Sequence, residues 1–136
     1  MDIQGDELIL DDKSFLVSET DERGIILFAN DEFCHFAGYS LEELIGKPHN
    51  IVRHPDMPKA AFEDLWKTVQ SNKRWRGFVK NKTKDGKYYW VFATVFPFTS
   101  SNGGKGYISC RRRASRKEVE KYEILYKQIR QEEMKV

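Results

Sequence analysis

The chain is poor in the features that define several specialised protein classes. Its 136 residues include only two cysteines, Cys34 and Cys110, which are far apart and form no CxxC pair. Such usage is typical of reduced, buried thiols in a cytoplasmic protein. No apolar run has the length of a membrane span, and the acidic, polar N-terminus is unlike a secretory signal. We therefore expect a cytoplasmic protein, which could reach a membrane through a partner.

An excess of charge of either sign is also missing. The formal net charge is +2, whereas a dedicated nucleic-acid binder usually carries a strong basic excess on one face. The sequence contains no Ser-His-Asp set, Walker loop or paired-carboxylate motif, so we expect no enzyme. With 40% hydrophobic and 13% aromatic residues, the composition is that of one folded domain with a real core.

The pattern of periodicity predicts an α+β domain on an antiparallel sheet of about five strands. Two strands at 15–20 and 25–30 precede two short helices, the first capped by Asn30 or Asp31 and ended by Gly38. The second has the capping box of Ser40 and Glu43. A longer helix, strands at 76–84, 88–98 and 106–113, and a tail helix follow. We divide the chain into an N-terminal cap (1–14), a sheet domain (15–114) and a tail helix (115–136).

The turn at Asp85 and Gly86 decides which face of the sheet each later residue occupies. Either a two-residue loop or a three-residue loop with a left-handed Gly86 fits the sequence, and we favour the longer one. Small side chains then face inward beside Asn81. An aromatic stripe would face outward and need cover from the cap, the tail helix or a second subunit, which favours a homodimer. The inward set is Val91, Ala93 and Val95, and the outward set is Trp90, Phe92, Phe96 and Phe98.

The tail helix opens at a second capping box, Ser115 with Glu118. Its apolar residues follow alternating steps of three and four, which is the seam of a two-heptad coiled coil. We therefore expect it to serve as a signalling helix. The seam consists of Val119, Tyr122, Tyr126 and Ile129.

The connector between the short helices and the longer helix has the densest chemistry in the chain. Its sequence is PHNIVRHPDMP at 48–58, with one arginine, two histidines, one aspartate and three prolines. Because proline fixes φ and disfavours helix at the residue before it, the connector should hold its charged groups in set places. Trp66, Trp75 and Asn81 lie on elements that could wall a pocket beside it. A rigid polar rim beside buried aromatics suits a flat, partly charged cofactor.

Several strings in the chain resemble PAS sensor domains. Ala29-Asn30, Gly38-Tyr39-Ser40 and residues 43–46 (ELIG) match the general PAS pattern. The match sharpens at 48–64 (PHNIVRHPDMPKAAFED) and continues through WRG, VKN, YWV and LYK further along. These strings are similar to the N-terminal FAD-binding PAS domain of bacterial aerotaxis receptors. The resemblance implies a PAS fold, a non-covalently bound FAD and a role in redox or energy-taxis sensing.

The resemblance also implies roles for individual residues. The RHPD string implicates Arg53, His54 and Asp56 in flavin binding. In related flavin PAS domains the matching tryptophan lies against the isoalloxazine and the matching asparagine hydrogen-bonds the ring, which implies these roles for Trp66 and Asn81. The complete set of expected cofactor-binding residues is Arg53, His54, Asp56, Trp66, Asn81, Trp75 and Asn30. The receptors continue into a membrane anchor and a signalling coiled coil, whereas this sequence stops after the tail helix. We therefore expect a separate chemotaxis signalling protein as partner.

Each of these residues also has a plain structural interpretation. Asn81 could be satisfied by backbone or water, Trp66 and Trp75 could be core residues, and Arg53 could pair with a surface acid. Asp56 could be the N-cap of the helix after it, whose N–H groups could otherwise contact the FAD phosphates. A metal site of His49, His54 and Asp56 has no known ligand pattern behind it. The run Arg111-Arg112-Arg113 is expected to be a solvated strand end, and the alternative is a contact with a phosphate or an anionic partner.

Four functional hypotheses follow. The first is a non-catalytic FAD redox sensor, and the alternatives are a cofactor-free dimerisation or docking module, a heme-binding PAS sensor and a flavin oxidoreductase. No acid or base for a substrate stands out beside the expected ring, which disfavours the enzyme. The connector has no cysteine for a flavin photoadduct, which disfavours a blue-light sensor of that type.

Overall fold

A five-stranded antiparallel sheet forms the body of the protein. The computed structural model describes residues 3–4, 6–99 and 103–135. The elements are β1 (Ile3–Gln4), β2 (Glu7–Leu8), β3 (Leu16–Asp21), β4 (Ile26–Ala29), α1 (Asp31–Ala37), α2 (Leu41–Leu44), a 3-10 turn (His49–Val52), α3 (Lys59–Gln70), β5 (Trp75–Lys82), β6 (Tyr88–Thr99), β7 (Lys105–Arg113) and α4 (Arg116–Glu133). The antiparallel strands lie in the order β4-β3-β7-β6-β5. The predicted α+β fold is confirmed.

Local sequence signals set the ends of the short helices as predicted. The Asn30 side chain accepts the N–H of Phe33 and begins α1, which ends at Gly38 with φ of 79°. A left-handed backbone of this kind suits glycine because it carries no Cβ. Ser40 and Glu43 form the reciprocal capping box of α2. The two short helices and their caps therefore form a tight turn that places the connector at the edge of the sheet.

The hairpin between β5 and β6 has the longer of the two predicted loops. Thr83 donates its N–H to the Lys87 carbonyl at 2.8 Å, and Gly86 has φ of 89°, which leaves three residues in the loop. The register pairs Asn81 with Tyr89. The prediction that Asn81 shares the inner face with small residues is confirmed. The buried inner-face residues include Val79, Asn81, Val91, Ala93 and Val95.

The outer face of the sheet is covered by α4 of the same chain. Trp90 and Tyr126 stack with ring centroids 6.0 Å apart, and the Tyr126 hydroxyl donates to the Phe78 carbonyl at 2.6 Å. Val119 of α4 is fully buried. The seam predicted for a coiled coil thus packs on the chain's own sheet. Its role in a signalling assembly and the homodimer both stay predictions.

The N-terminal residues extend the sheet beside α4. β1 pairs with β2, and β2 joins β6 in a parallel bridge at Glu7 and Tyr88. Glu7 is 3% exposed and pairs with Arg116 of α4 at 2.7 Å. This contact ties the start of the chain to the first turn of the tail helix. In the part of the chain that the structure describes, no helix is long and apolar enough to cross a membrane.

Candidate functional site

A cavity of about 330 Å³ lies between the inner face of the sheet, α3 and the connector. Small residues of β5 and β6 form its floor: Val79, Ala93 and Val95. Phe62, Leu65 and Trp66 of α3 form the opposite wall. A cavity with two apolar walls accepts a flat aromatic group, and cofactor sites are usually concave and mostly apolar in this way.

Asn81 brings an unsatisfied amide to this cavity. The residue is 3% exposed, and its Nδ2 has no hydrogen-bond partner among the described residues. The same holds for the hydroxyls of Ser109, which also lines the cavity, and of Tyr89, the cross-strand neighbour of Asn81. Burial raises the pKa of Tyr89 to about 12, against the smaller opposing influence of Arg111 and the neighbouring Asn81 amide, so its hydroxyl stays protonated. Asn81 and Tyr89 are cross-strand neighbours, but their side chains do not meet the geometry of a hydrogen bond. A buried polar group without a partner costs about 1–3 kcal/mol, which a suitable ligand would recover.

Arg53 supplies a positive charge at the mouth of the cavity. Its guanidinium carbon lies 3.6 Å from the centroid of the Phe62 ring, and its Nε is buried without a partner. Burial lowers the pKa of Arg53, yet arginine stays charged at physiological pH. No acid within salt-bridge distance of Arg53 is found in the described ranges. The surface ion pair considered for Arg53 is not found among the described residues.

Arg111 is a second cation of the cavity, and the prediction of a solvated strand end is wrong for this residue. It is 6% exposed, and its two Nη atoms contact Ser18 Oγ and His49 Nε2, each at 3.0 Å. Burial lowers its pKa to about 10, so it remains protonated at neutral pH. The register of β7 explains the error, because Arg111 pairs with inward-facing Ala93 while Arg112 and Arg113 are exposed.

His49 is held neutral beside Arg111. Burial lowers the pKa of His49 to about 3, and the positive charge of Arg111 acts in the same direction. Its Nε2 lies 2.9 Å from Ser18 Oγ and 3.0 Å from Arg111 Nη2. Because the guanidinium can only donate, Nε2 accepts and the ring proton lies on Nδ1. The connector therefore reaches the sheet through a hydrogen-bonded cluster at the cavity wall.

Trp66 lies edge-on at the rim of the cavity. Its ring packs against Tyr107 of β7 in a T-shaped contact with centroids 5.4 Å apart. A Cβ atom at Gly24 would lie 3.2 Å from this ring, and Gly24 has φ of +82°. A glycine thus lets the β3–β4 turn approach the tryptophan closely. Trp66 is only half-buried, and its ring is available to a group that enters the cavity.

The family of this chain follows from comparison with known proteins. A model of the PAS fold matches residues 26–111. The chain belongs to the PAS family. This PAS domain is 48% identical to the aerotaxis receptor of Escherichia coli K12 over 120 residues, which are 88% of the chain and 24% of the receptor. The predicted resemblance is confirmed, and the chain spans about a quarter of that relative's length.

Other relatives and solved structures agree with this assignment. The nitrogen fixation regulatory protein of Klebsiella oxytoca is 30% identical over 95 residues, which are 70% of this PAS domain and 19% of that protein. The PAS domain of a Colwellia psychrerythraea protein superposes with a TM-score of 0.60 at 26% identity, covering 74% of this chain and 86% of that one. A light-oxygen-voltage domain studied with a flavin analogue gives 0.67 at 20% identity, covering 79% and 82%, and supports the fold alone.

Four of the expected site residues lie outside the cavity of this PAS domain, whereas Arg53, Trp66 and Asn81 line it. The ring of His54 packs against Tyr88, and its Nδ1 accepts the N–H of Asp56 at 3.0 Å. Asp56 pairs with Lys80 at 2.9 Å, and this hydrogen bond lowers the pKa of Asp56. Both residues thus order the connector against β5 and β6.

The N-cap alternative for Asp56 is wrong, because Pro58 occupies that position and provides no side-chain cap. The first N–H groups of α3 are not free for phosphates either. Those of Lys59 and Ala60 donate to Glu133 at 2.9 and 2.8 Å. No group of three or more His, Cys, Asp or Glu residues that could hold a metal occurs within the described residues.

Trp75 and Asn30 have structural partners of their own. Trp75 donates its Nε1–H to Asp64 at 2.9 Å, and its ring occupies the space where a side chain at Gly77 would lie. Asn30 Oδ1 accepts the N–H of Val17 at 3.1 Å and caps α1, while its Nδ2 donates to the Phe15 carbonyl at 2.9 Å. The Asn30 side chain therefore joins α1 to the start of β3.

Two residues of the site, His49 and Ser109, were missed by sequence reasoning as contacts to an organic ligand, and Arg111 was expected chiefly at a solvated strand end. Ser109 and Arg111 alternate along β7, so the period-2 pattern places them on one face. Ala93 was predicted to face inward, and it pairs with Arg111. Knowledge of the pairing between β6 and β7 would therefore have placed Ser109 and Arg111 on the inner face as well. His49 was weighed only as a metal ligand, and nothing in its local sequence indicates its contact with Arg111.

Proposed function

We propose that this PAS domain is a non-catalytic redox sensor that binds FAD non-covalently in the cavity. It would pass its state through the sheet and α4 to a chemotaxis-type partner. The single observation that carries the proposal is the set of unsatisfied polar atoms at a cavity whose floor and opposite wall are apolar, foremost the Nδ2 of Asn81. A relative with 48% identity is an aerotaxis receptor by name, which supports the sensory role.

The chemistry of the cavity wall fits a flavin ring. The edge of an isoalloxazine presents carbonyl oxygens and N–H groups, and the amide of Asn81 can donate and accept in turn. Arg111 carries five donors, and its contacts to Ser18 and His49 each use one of the two Nη atoms. The small residues of the floor leave a slot against one face of a planar ring, and Trp66 borders the other side.

Two cations without acid partners favour an electron-rich guest. Bound flavin would supply a reversible one- or two-electron centre, and its anionic reduced forms would carry more negative charge than the oxidised ring. Arg111 and Arg53 both lie at the cavity, and neither has a salt bridge in the part of the chain that is described. A buried unpaired charge is costly, and a negative partner nearby offsets that cost. We therefore expect the site to bind a negatively charged ligand state more tightly than a neutral one.

A groove outside α3 supports the dinucleotide rather than the free ring. The groove shares Arg53, Phe62 and Trp66 with the cavity and is otherwise lined by side chains that include Lys59 and Lys67. The cavity of about 330 Å³ can take a tricyclic ring, so the adenosine diphosphate half must lie outside it. Arg53 stands at the junction, where its fork suits a pyrophosphate. FAD therefore fits the two spaces together.

The strand that carries Asn81 also offers a route to α4. Asn81 faces the cavity, and Phe78 of the same strand accepts the Tyr126 hydroxyl on the outer face. A change in the hydrogen bonds that Asn81 makes would shift β5 and with it this contact. To act as a signal, the two ligand states must favour different protein conformations.

The first test is the visible spectrum of freshly purified protein. We expect the blue absorption bands of oxidised flavin, and heat-released cofactor that co-migrates with FAD on chromatography. A Soret band would instead indicate heme. A colourless protein that takes up no added FAD would favour the docking module. Turnover with a reductant and an acceptor would favour the flavin oxidoreductase.

A further inference from the structure

The last turn of α4 is bonded to the first turn of α3. Glu133 Oε1 accepts the N–H of Lys59 at 2.9 Å, and Glu133 Oε2 accepts the N–H of Ala60 at 2.8 Å. The first N–H groups of any helix lack intrahelical acceptors. Pro58, the N-cap of α3, supplies no side-chain acceptor. A carboxylate from the end of the tail helix therefore completes the start of the cavity helix.

The contact with α3 explains why an acid stands at the C-terminal end of α4. A negative charge at the C-terminal end of a helix opposes the helix dipole, so Glu133 is unfavourable for α4 itself. The same charge is favourable at the N-terminus of α3. Among the described residues, the carboxylate of its neighbour Glu132 pairs with Lys135 in an exposed contact. Of the two adjacent acids, Glu133 thus binds the start of α3 and Glu132 binds a lysine near the end of the chain.

Apolar packing does not hold the end of α4. Tyr126 is the last buried residue of the helix, Ile129 is partly buried against the core, and residues 131–135 are exposed. A cavity of about 380 Å³ lies between α4, the connector and the sheet, with Lys80, Trp90 and Arg130 among its lining residues. The contact of Glu133 with α3 therefore restrains an exposed last turn that lies beyond the apolar packing of Ile129.

We propose that Glu133 is a latch that couples the cavity helix to the tail helix. The wall of the cavity contributed by α3 consists of Phe62, Leu65 and Trp66. A ligand that shifts α3 moves the two N–H groups that bind Glu133. This movement breaks or preserves the two hydrogen bonds, and with them the attachment of the end of α4 to α3. The coupling is reciprocal, so release of Glu133 also changes ligand affinity. The role of the ligand rests on the proposed function, whereas the latch itself does not.

Amide hydrogen exchange in the full chain tests the latch. Glu133→Ala removes the acceptor, and Glu132→Ala is the matched control, since both substitutions remove an acid from the same helix end. Lys59→Pro removes one donor from the other side. Proline is tolerated at the first helical position, and Pro58 before it has ψ of 147°, which suits a following proline.

In ligand-free protein we expect Glu133→Ala to speed exchange of the Ala60 amide and of residues 131–135 by about fivefold, the range of a lost helix cap. Lys59→Pro should reproduce the effect at 131–135. Glu132→Ala should leave exchange unchanged or slower, because it removes an acid from the unfavourable end of α4. Equal exchange in the Glu133→Ala and Glu132→Ala variants would overturn the proposal.

FAD addition separates this proposal from the proposed function. We expect FAD to change exchange at 131–135 in the parent chain and much less in Glu133→Ala, whose FAD affinity also shifts. An equal change in both would show that Glu133 is not the coupling route, which overturns the latch as a coupling device. Failure of the protein to take up FAD would defeat the proposed function, while the ligand-free exchange data would still decide the latch.

Discussion

Replacement of Asn81 by leucine should have opposite effects on the empty and the loaded protein. Asn81 is 3% exposed, and its Nδ2 has no partner in the described residues. Leucine has a similar shape and no polar atoms, so Asn81→Leu removes an unmet hydrogen-bonding requirement. In the ligand-free protein the free energy of unfolding should rise by about 1–3 kcal/mol. The same substitution deletes the proposed contact with the flavin edge.

The loss of that contact sets the expected change in affinity. A hydrogen bond to a buried polar ligand group is worth about 1–3 kcal/mol when its removal leaves the other partner unpaired. Each 1.4 kcal/mol is a factor of about ten, so the dissociation constant for FAD should rise roughly 5- to 150-fold. Urea unfolding of cofactor-stripped protein measures the first effect, and fluorescence titration with FAD measures the second.

Thr83 provides the matched control on the same part of the chain. It is 5% exposed, but its Oγ1 donates to Asp85 and accepts the N–H of Lys87. Thr83→Val should therefore lower the free energy of unfolding by about 1 kcal/mol and leave FAD affinity unchanged. If Asn81→Leu behaves like Thr83→Val in both assays, Asn81 is satisfied within the protein and our account of the cavity is refuted.

Three further predictions concern other residues of the site. Trp66→Ala should lose flavin at purification while the far-ultraviolet circular dichroism keeps its native shape; full flavin occupancy would remove Trp66 from the site. Arg53→Ala should weaken FAD more than riboflavin in parallel titrations, and equal losses would show that Arg53 does not touch the phosphates. His49 has a folded pKa of about 3, below its unfolded value, so the unfolded state binds more protons between about pH 6.5 and pH 3. Stability should fall with decreasing pH in that window, and His49→Gln should flatten the fall in urea unfolding; identical pH profiles would refute the neutral buried ring.

Much of the fold could be predicted because its signals are local. The caps at Asn30 and Ser40 and the left-handed Gly86 each depend on neighbours within a few residues, and each is found as expected. Sheet alternation then assigned Asn81 to the inner face once the loop length was chosen. That choice rested on where small side chains should face, and the register of β5 with β6 confirms it.

The rest of the site depends on contacts between distant segments. Arg111 meets His49 across 62 residues, and Glu133 meets Ala60 across 73. Neither pair has a local signature, because strand register and helix docking decide them. The connector shows the same limit: its Arg53 reaches the cavity, whereas His54 and Asp56 face β5 and β6 instead. Proline stiffness predicted a fixed geometry but not its direction.

The most direct measurement is a titration of cofactor-stripped protein with FAD, followed through the side-chain amide signal of Asn81 in nitrogen-15 NMR spectra. Our account predicts a saturable change of the Asn81 Nδ2 resonance at one equivalent of FAD, with smaller changes at the side-chain amide of Asn30. Saturation of FAD binding with no change at Asn81 would contradict it, as would an Asn81 amide that is already protected before FAD is added.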